Sequence, residues 1–364
     1  MDSKAMKDRA ARVLDAAEVD RILIVNTNSE DPNFVYITDL VGGLFEGNFL
    51  LIKKDSITLF TSPLEYELAR EQLGTRIGIV NLDSQKKMEL LVKELRGRSI
   101  GINGNFLPYN SYMRMRKRMK MRRIVDASAA FEKAREVKGV LEISRIRKAN
   151  RITKLAIAGV QKHLKAGITE KEAARMFENR ILELGADGPS FDSIVCFGKN
   201  AALPHHSPDS TRLRYGDIVL MDVGVKVNNY CSDVTRTMIF GNDKTRIKDY
   251  ERKRRIIDIV REAQAAAIAA IKPGILGEKP HIIAQNIIDN ADNGKYKGTF
   301  MHALGHSVGI EVHDGSGRFL SPGSKLVLRE GMVSSVEPGI YIPGFGGARI
   351  EDDIVVTRNG AVIL

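Results

Sequence analysis

The chain has 364 residues and a net charge of +11, and 43% of its residues are hydrophobic. This length predicts two domains, and this apolar content is enough for a sizeable core in each. The basic excess is spread along the chain rather than gathered in a tail, which argues against a nucleic-acid-binding extension. Two cysteines allow no disulfide framework, so we expect a reducing, cytoplasmic location. We expect no membrane partner, because no apolar run approaches the ~18–20 residues of a span and the N-terminal segment lacks the core of a signal peptide.

Short strands and helices alternate in the first 126 residues, which predicts a small α/β domain over residues 1–126. An amphipathic pattern predicts a first helix at 6–17. Strands are expected at 21–25, 34–38, 49–52, 57–60, 76–80 and 99–102, and helices at 63–73 and 85–95. This part of the sequence contains no cluster of metal ligands.

The stretch Met113–Arg123, MRMRKRMKMRR, combines seven basic residues with four methionines. It predicts a surface helix whose Met side packs on a neighbour while the long basic side chains stay solvated. A site for nucleic acid is the alternative, and a salt-dependent shift with duplex DNA or RNA would reveal it. Because no aromatic residues interleave to stack on bases, we expect no nucleic-acid partner.

The remaining residues mix helices with strand-rich segments. One or two helices are predicted within 128–167, a capping box at Thr169–Glu172 begins the next, and further helices are expected at 244–271 and 280–288.

Two carboxylates lie next to extended runs in the segment between these helices. Asp222 ends an aliphatic run, and Asp233 follows a second extended run eleven residues later. A hairpin would bring the two side chains together, and facing buried carboxylates are costly unless they share a proton or bind a cation.

More candidate ligands lie downstream. His306 is found in HALGHSVG, Glu337 in VEPG and Glu351 in RIED. Together with the two Asp residues they make four carboxylates and one imidazole, a set that suits hard or borderline divalent metals such as Mn, Co, Fe or Zn.

The order of these motifs resembles the pita-bread metallopeptidases, which include prolidase, aminopeptidase P and methionine aminopeptidase. The resemblance covers roughly Phe191 to the C-terminus. It implies an α+β C-terminal domain over 127–364, with a curved antiparallel sheet and helices on its outer face, behind a creatinase/prolidase-like N-terminal α/β domain over 1–126. It also implies two divalent metal ions per chain, with a hydroxide held between them as the nucleophile.

The resemblance assigns a role to each ligand. Asp222 would chelate one metal, Asp233 and Glu351 would bridge both, and His306 and Glu337 would complete the other. Glu337 is also the expected proton shuttle between water and the leaving amine.

Other residues are expected to act on the substrate. His205 and His313 stand at the spacings at which proline-specific members place functional histidines, where a neutral imidazole could donate to the scissile carbonyl or the oxyanion. His302 is expected near the substrate, and Arg349 is expected to hold a motif carboxylate beside it. Arg318 is the candidate cation for the carboxylate of a dipeptide, and Arg349 or a Lys of the front domain is the alternative.

The ALPHH segment and the size of the front domain resemble prolidase and aminopeptidase P, which cleave the bond before proline. With Arg318 as the candidate cation, we expect a prolidase, which acts on a small peptide with proline second. Aminopeptidase P, acting on longer peptides, is the alternative. Methionine aminopeptidase and a non-catalytic peptide-binding module of the same fold are less favoured, because the front domain is large and every ligand is present. The resemblance further implies a homodimer.

Overall fold

The computed structural model describes residues 1–27, 31–119, 121–315 and 319–364. Within them the chain divides into two compact units, Met1–Arg135 and Glu136–Leu364. The domain boundary proposed from the sequence, between 126 and 127, stays a prediction. Among the described residues, the helices are too short or too polar to cross a membrane.

The first unit is built on one mixed sheet. Its strands are β1 (Arg21–Asn26), β2 (Asn48–Lys53), β3 (Ser56–Thr61), β4 (Gly78–Asn81), β5 (Ser99–Ile102) and β6 (Arg123–Asp126). The helices up to the boundary are α1 (Ser3–Ala17), α2 (Pro32–Thr38), α3 (Tyr66–Leu73), α4 (Gln85–Leu95), α5 (Tyr109–Met119) and α6 (Ser128–Glu136). The strand order is β4-β3-β2-β1-β5-β6, antiparallel between β1, β2 and β3 and parallel elsewhere, as expected for an α/β domain.

The segment predicted as a strand at 34–38 is a helix, so that prediction was wrong. The Asp31 side chain accepts a hydrogen bond from the backbone of Asn33 (2.8 Å), and Pro32 occupies the first turn of α2. A capping Asp followed by Pro is a helix-start signal, and it outweighs the β-rich composition that follows.

Helix α5 carries the basic stretch on its solvent side. Met115 and Met119 are buried, whereas Arg114 and Lys117 are exposed. Over these residues the methionines pack and the basic side chains are solvated, as the sequence predicted. The helix nevertheless ends at Met119, Met113 is exposed, and Arg123 already begins β6.

The second unit consists of helices and small antiparallel sheets. Its helices are α7 (Val140–His163), α8 (Glu170–Glu183), α9 (Tyr250–Ala270) and α10 (Glu278–Asn290). Its strands are β7 (Gly188–Pro189), β8 (Ile194–Phe197), β9 (Ile218–Val223), β10 (Val225–Val227), β11 (Tyr230–Cys231), β12 (Val234–Ile239), β13 (Val333–Val336), β14 (Gly339–Ile342), β15 (Gly346–Arg349), β16 (Asp352–Thr357) and β17 (Gly360–Ile363). The sheets have the orders β12-β9-β8, β11-β10-β7, β13-β16-β17 and β14-β15.

Helix boundaries follow the capping residues. The predicted box begins α8, where Thr169 accepts from the backbone of Glu172 and the Glu172 carboxylate accepts from the backbone of Thr169. The helix predicted from residue 244 starts later, at Tyr250, because Lys244–Arg246 forms a separate 3₁₀ turn capped by Asp243.

Gly224 lies where β9 passes into β10, at a point where two segments of backbone approach closely. A Cβ atom there would lie 2.0 Å from the carbonyl oxygen of Ser232 and 2.2 Å from Oγ of Ser190. A backbone oxygen cannot move aside cheaply, so this position accepts only glycine.

We therefore expect Gly224→Ala to destabilise the second unit by about 1–3 kcal/mol and lower its Tm by roughly 3–10 °C. Gly188→Ala is the matched control, since Gly188 lies in β7 beside β10 and a Cβ there meets nothing within 4 Å. Thermal unfolding of the two variants measures the difference, and equal Tm values would contradict the close approach.

Candidate metal centre and peptide site

The sequence-predicted site residues converge on one cavity of about 320 Å³ in the second unit. Its lining comprises Phe191, Ile194, Pro204, His205, Asp222, Asp233, His302, Ala303, His306, Val312, His313, Glu337, Arg349 and Glu351. Arg318 lies outside the residues that the structure describes.

Strand pairing places the two aspartates. Asp222 is opposite Thr235 in the antiparallel pair β9–β12, and Asp233 directly precedes β12. The link between them is a second, smaller hairpin, β10–β11, whose turn residues Asn228 and Asn229 have positive φ. The predicted hairpin is therefore present, with a second two-stranded hairpin inserted between its strands. Asn is well suited to the positive φ angles of that inner turn.

The other three ligand-type residues are fixed by backbone contacts to the same region. His306 exchanges hydrogen bonds with Ser335 in β13, since its N–H donates to Ser335 Oγ (3.1 Å) and its carbonyl accepts from Ser335 N–H (2.9 Å). Glu337 follows β13, and the N–H of Glu351 donates to the carbonyl of Thr235 in β12 (3.1 Å).

Ligand atoms of Asp233, His306 and Glu351 all lie within 4.8 Å of one another. The Nε2 atom of His306 is also 3.4 Å from Oε1 of Glu337. Its Nδ1–H donates to the carbonyl of Ser307 (3.3 Å), which leaves the Nε2 lone pair facing the carboxylates. That is the orientation of a metal-ligating histidine.

The hydrogen bonding of these carboxylates fits a cation. One side-chain oxygen of each of Asp222, Asp233 and Glu351 is buried without a hydrogen-bond partner among the described residues. Such orphaned oxygens are rare in native proteins and carry a desolvation cost. A divalent metal accepts this donor set, so the residues present fit the metal centre implied by the motifs.

Burial shifts the protonation equilibria of the cluster. Desolvation, followed by the neighbouring carboxylates, raises the pKa of Asp233 and Glu351 well above the ordinary values. Desolvation also raises the pKa of Glu337 to about 8 and lowers the pKa of His306 to about 3. A bound cation reverses this tendency, because opposite charge favours the ionised carboxylates.

Arg349 supplies positive charge inside the cluster and is buried. Its guanidinium donates to Oδ2 of Asp222, to Oη of Tyr341 (2.7 Å) and to the carbonyl of Pro204 (3.3 Å). The motif carboxylate that it holds is therefore Asp222, and the same side chain ties the strand β15 to the segment that carries His205.

His302 faces the cavity as a neutral ring. Its Nδ1–H donates to the carbonyl of Ala303 (2.8 Å), and its Nε2 accepts from the hydroxyl of Tyr341 (2.8 Å), which itself accepts from Arg349. Burial and the nearby guanidinium lower the pKa of His302 to about 4. Both ring nitrogens are thus engaged by the protein, and the substrate can contact only the face or edge of the ring.

His205 and His313 are exposed residues at the mouth of the cavity. The ring centroids of His313 and His306 are 4.0 Å apart, and the two ring planes meet at an angle of 74°. The next residue, Asp314, forms a buried ion pair with Lys138, whose Nζ is 3.1 Å from Oδ2 of Asp314. This ion pair fixes the backbone next to His313.

Sequence reasoning missed two residues of the site, Asp353 and Tyr341. Asp353 is fully buried, and its Oδ2 accepts from Asn150 Nδ2 (2.7 Å) and from the backbone N–H of Asp233 (3.0 Å), so it holds the backbone of Asp233 in place. Desolvation raises the pKa of Asp353 to about 7. The signal for it was available in RIEDD, because residues two apart on a strand share a face and Asp353 is two beyond Glu351.

The fold and this donor set define a metallopeptidase. Residues 144–358 match metallopeptidase family M24, and residues 7–137 match the creatinase/prolidase N-terminal domain. The chain belongs to metallopeptidase family M24, as the motif order indicated, and the expected two-domain architecture is confirmed.

Individual relatives and solved structures support the same family assignment. The chain is 36% identical to an Xaa-Pro dipeptidase of Pyrococcus horikoshii over 96% of this chain and 93% of that protein. Among solved structures, an Xaa-Pro dipeptidase from Bacillus anthracis matches with a TM-score of 0.87 at 30% identity, covering 100% of this chain and 97% of the other. An X-Pro aminopeptidase from Thermotoga maritima matches with a TM-score of 0.86 at 28% identity, covering 97% of each chain.

Proposed function

We propose that this protein is an Xaa-Pro dipeptidase that hydrolyses the peptide bond before proline. The observation that carries the proposal is the convergence, in one cavity, of five metal-ligand side chains with two histidines at its mouth. The similarity to Xaa-Pro dipeptidases over nearly the full chain supports the same activity.

The ligands proposed for two divalent cations are Asp222, Asp233, His306, Glu337 and Glu351. Bound there, the cations would supply Lewis acidity and lower the pKa of a coordinated water. Mn, Co, Fe and Zn are the candidate metals, because the set combines hard carboxylates with one imidazole.

The chain's own residues divide the remaining work. The Glu337 carboxylate lies within the ligand cluster, where it can take a proton from the attacking water and return it to the leaving amine. His205 and His313 donate hydrogen bonds to the scissile carbonyl and to the oxyanion that develops from it. Arg349 holds Asp222 in place, and His302 forms part of the substrate wall.

The cavity suits a small peptide. Its volume is near the lower end of the roughly 300–1,000 Å³ range of ligand pockets, and Phe191, Ile194 and Val312 give it an apolar wall for the proline ring. A dipeptide also presents a carboxylate next to that ring. We propose that Arg318 pairs with it, although this residue lies outside the described part of the chain.

The proposed ligand set predicts the effect of Asp233→Asn. Losing one carboxylate of the cluster should abolish turnover and lower bound metal from near two per chain, with the fold retained. Metal analysis, circular dichroism and hydrolysis of Ala-Pro measure the three quantities. Asp258→Asn, which changes a half-buried carboxylate on α9 that pairs with Arg254 and Arg261 and does not line the cavity, is the control. Full activity of Asp233→Asn, or of thoroughly chelated enzyme, would refute the ligand set.

Variants of the two histidines should separate catalysis from metal binding. Alanine at His205 or at His313 should lower the rate of Ala-Pro hydrolysis by roughly 10²–10⁴, the range for an acid–base or oxyanion group. Metal content should stay near two per chain, because neither ring belongs to the ligand cluster. Loss of metal together with activity would instead make them ligands.

Substrate length distinguishes the dipeptidase from the alternative, an aminopeptidase P that acts on longer peptides. We expect kcat/KM to be higher for Ala-Pro than for Ala-Pro-Ala and Ala-Pro amide, because only the dipeptide places a carboxylate beside the proline ring. Equal or faster cleavage of the longer or amidated peptides would favour the aminopeptidase.

Arg318→Ala should raise KM for Ala-Pro but not for the longer or amidated peptides. An unchanged KM for Ala-Pro would reject the proposed role of Arg318 without contradicting the dipeptidase activity.

We further propose that the working unit is a cytoplasmic homodimer in which the front domain of one chain borders the active site of the other. The support is the family resemblance, and the two buried, unpaired thiols of Cys196 and Cys231 suit a reducing compartment. Static light scattering at micromolar concentration should give twice the mass of one chain. A fully active monomer would contradict the dimer.

A further inference from the structure

A buried carboxylate outside the metal cluster organises the segment that carries His205. Glu170, the first residue of α8, is fully buried. Its Oε1 accepts from the backbone of Phe197 (2.7 Å) and from Asn200 Nδ2 (3.0 Å). Its Oε2 accepts from His206 Nε2 (2.7 Å) and from the backbone of Asp209 (3.1 Å).

All four donors come from residues 197–209, so the Glu170 side chain is hydrogen-bonded to both ends of this segment and holds them together. The position at the start of α8 also suits a carboxylate, because the helix N-terminus favours negative charge. With four hydrogen bonds, the buried charge is well compensated. His206, Asp209 and Glu170 could be taken for a metal site, but the inward-facing ligand atoms are already bonded to one another and to the backbone.

His205 itself has little to hold its ring. The imidazole is exposed, and within the described residues it makes no hydrogen bond. Its position therefore depends on the backbone on either side, where Arg349 donates to the carbonyl of Pro204 and Glu170 holds His206. A displacement of about 1 Å at a reacting group can cost about 10² in rate.

We infer that Glu170 and His206 are positioning residues, which place His205 against the substrate. The inference rests on the proposed role of His205 in hydrolysis. It gives a task to His206, which has no ligand or substrate role of its own.

The change Glu170→Gln replaces one carboxylate oxygen by an amide nitrogen and keeps the volume of the side chain. The amide oxygen can still accept from Phe197 and Asn200, but the amide nitrogen then faces the N–H of Asp209, and two donors cannot pair. The bond to Asp209 is lost, and His206 keeps its bond only in the tautomer whose Nε2 accepts. The part of the segment next to His205 is therefore held more weakly, while the part next to β8 stays attached.

We expect Glu170→Gln to lower kcat for Ala-Pro by about 10–100-fold, with a smaller change in KM, because His205 acts mainly in the transition state. His206→Ala should lower kcat in the same direction by less, since three of the four hydrogen bonds to Glu170 remain. His206→Gln should retain more activity than His206→Ala, because its amide N–H can still donate to Glu170. Should Glu170→Gln fail to fold, the two variants at position 206 carry the test.

The decisive measurement is the same substitution in a chain that already has His205→Ala. If Glu170 and His206 act through His205, Glu170→Gln or His206→Ala in that background should change kcat by no more than about twofold. The matched control is Glu172→Gln, which weakens the cap of α8 without touching residues 197–209; it should lower Tm and leave kcat unchanged.

The outcomes separate the inference from the function on which it rests. A full, multiplicative loss in the His205→Ala background overturns positioning while leaving His205 as a catalytic group. An active His205→Ala enzyme overturns the role of His205 and the positioning with it. A loss of kcat in Glu172→Gln equal to that in Glu170→Gln shows a general effect of α8 and also overturns the inference.

Discussion

The second unit is organised around carboxylates that are buried with too few hydrogen bonds. Asp222, Asp233 and Glu351 each keep one oxygen without a partner among the described residues, and burying even one ion costs several kcal/mol or more. Arg349 offsets part of this charge, and Thr235 donates to Glu351 (2.6 Å). Four carboxylates still face one guanidinium, and without a cation the excess favours protonation, as the raised pKa values of Asp233, Glu337 and Glu351 indicate. The same lack of hydrogen-bond partners that would destabilise the fold without a cation would supply the affinity for the cations that the proposed hydrolysis requires.

The strands around this centre limit how far the carboxylates can relax. Asp222 and Asp233 are joined through the β9–β12 ladder, and Glu351 is tied to β12 by its own backbone. Asp353 then bonds the backbone of Asp233 from the far side. Since backbone ladders, rather than flexible side chains, set the spacing, the carboxylates cannot move apart to relieve their repulsion.

The sequence marked the proposed ligands more clearly than the residues that hold them. Asp222 and His306 stand in motifs whose order and spacing are specific, so they could be assigned without a structure. Asp353 and Glu170 are less clearly marked. The RIEDD motif indicates only that Asp353 shares a strand face with Glu351, and nothing around Glu170 shows that it is buried or what it bonds. The side-chain partners lie 120 and 203 residues away for Asp353 and 27–39 residues away for Glu170, so only the tertiary fold reveals them.

Secondary structure was predictable where one signal dominated. The box at Thr169–Glu172 marks the start of α8 by itself, because it satisfies backbone donors locally. At Phe34–Thr38 two signals conflicted, and the helix start at Asp31 and Pro32 prevailed over β-branched and aromatic composition. Composition reports only average preference, whereas a cap and a proline fix particular backbone angles, so the local geometry decided.

The metal cluster cannot set the length of the substrate, because the same cluster would activate water for either class of peptide. Residues around the cluster must therefore select for the length of the peptide. A second, more open cavity of about 670 Å³, with Lys171 and Arg175 in its lining, shares Ile194 and His205 with the inner one. His205 lines both cavities, so a peptide that extended from the inner cavity into the outer one would pass this residue. The placement of this histidine, and hence of the segment held by Glu170, therefore bears on chain length as well as on rate.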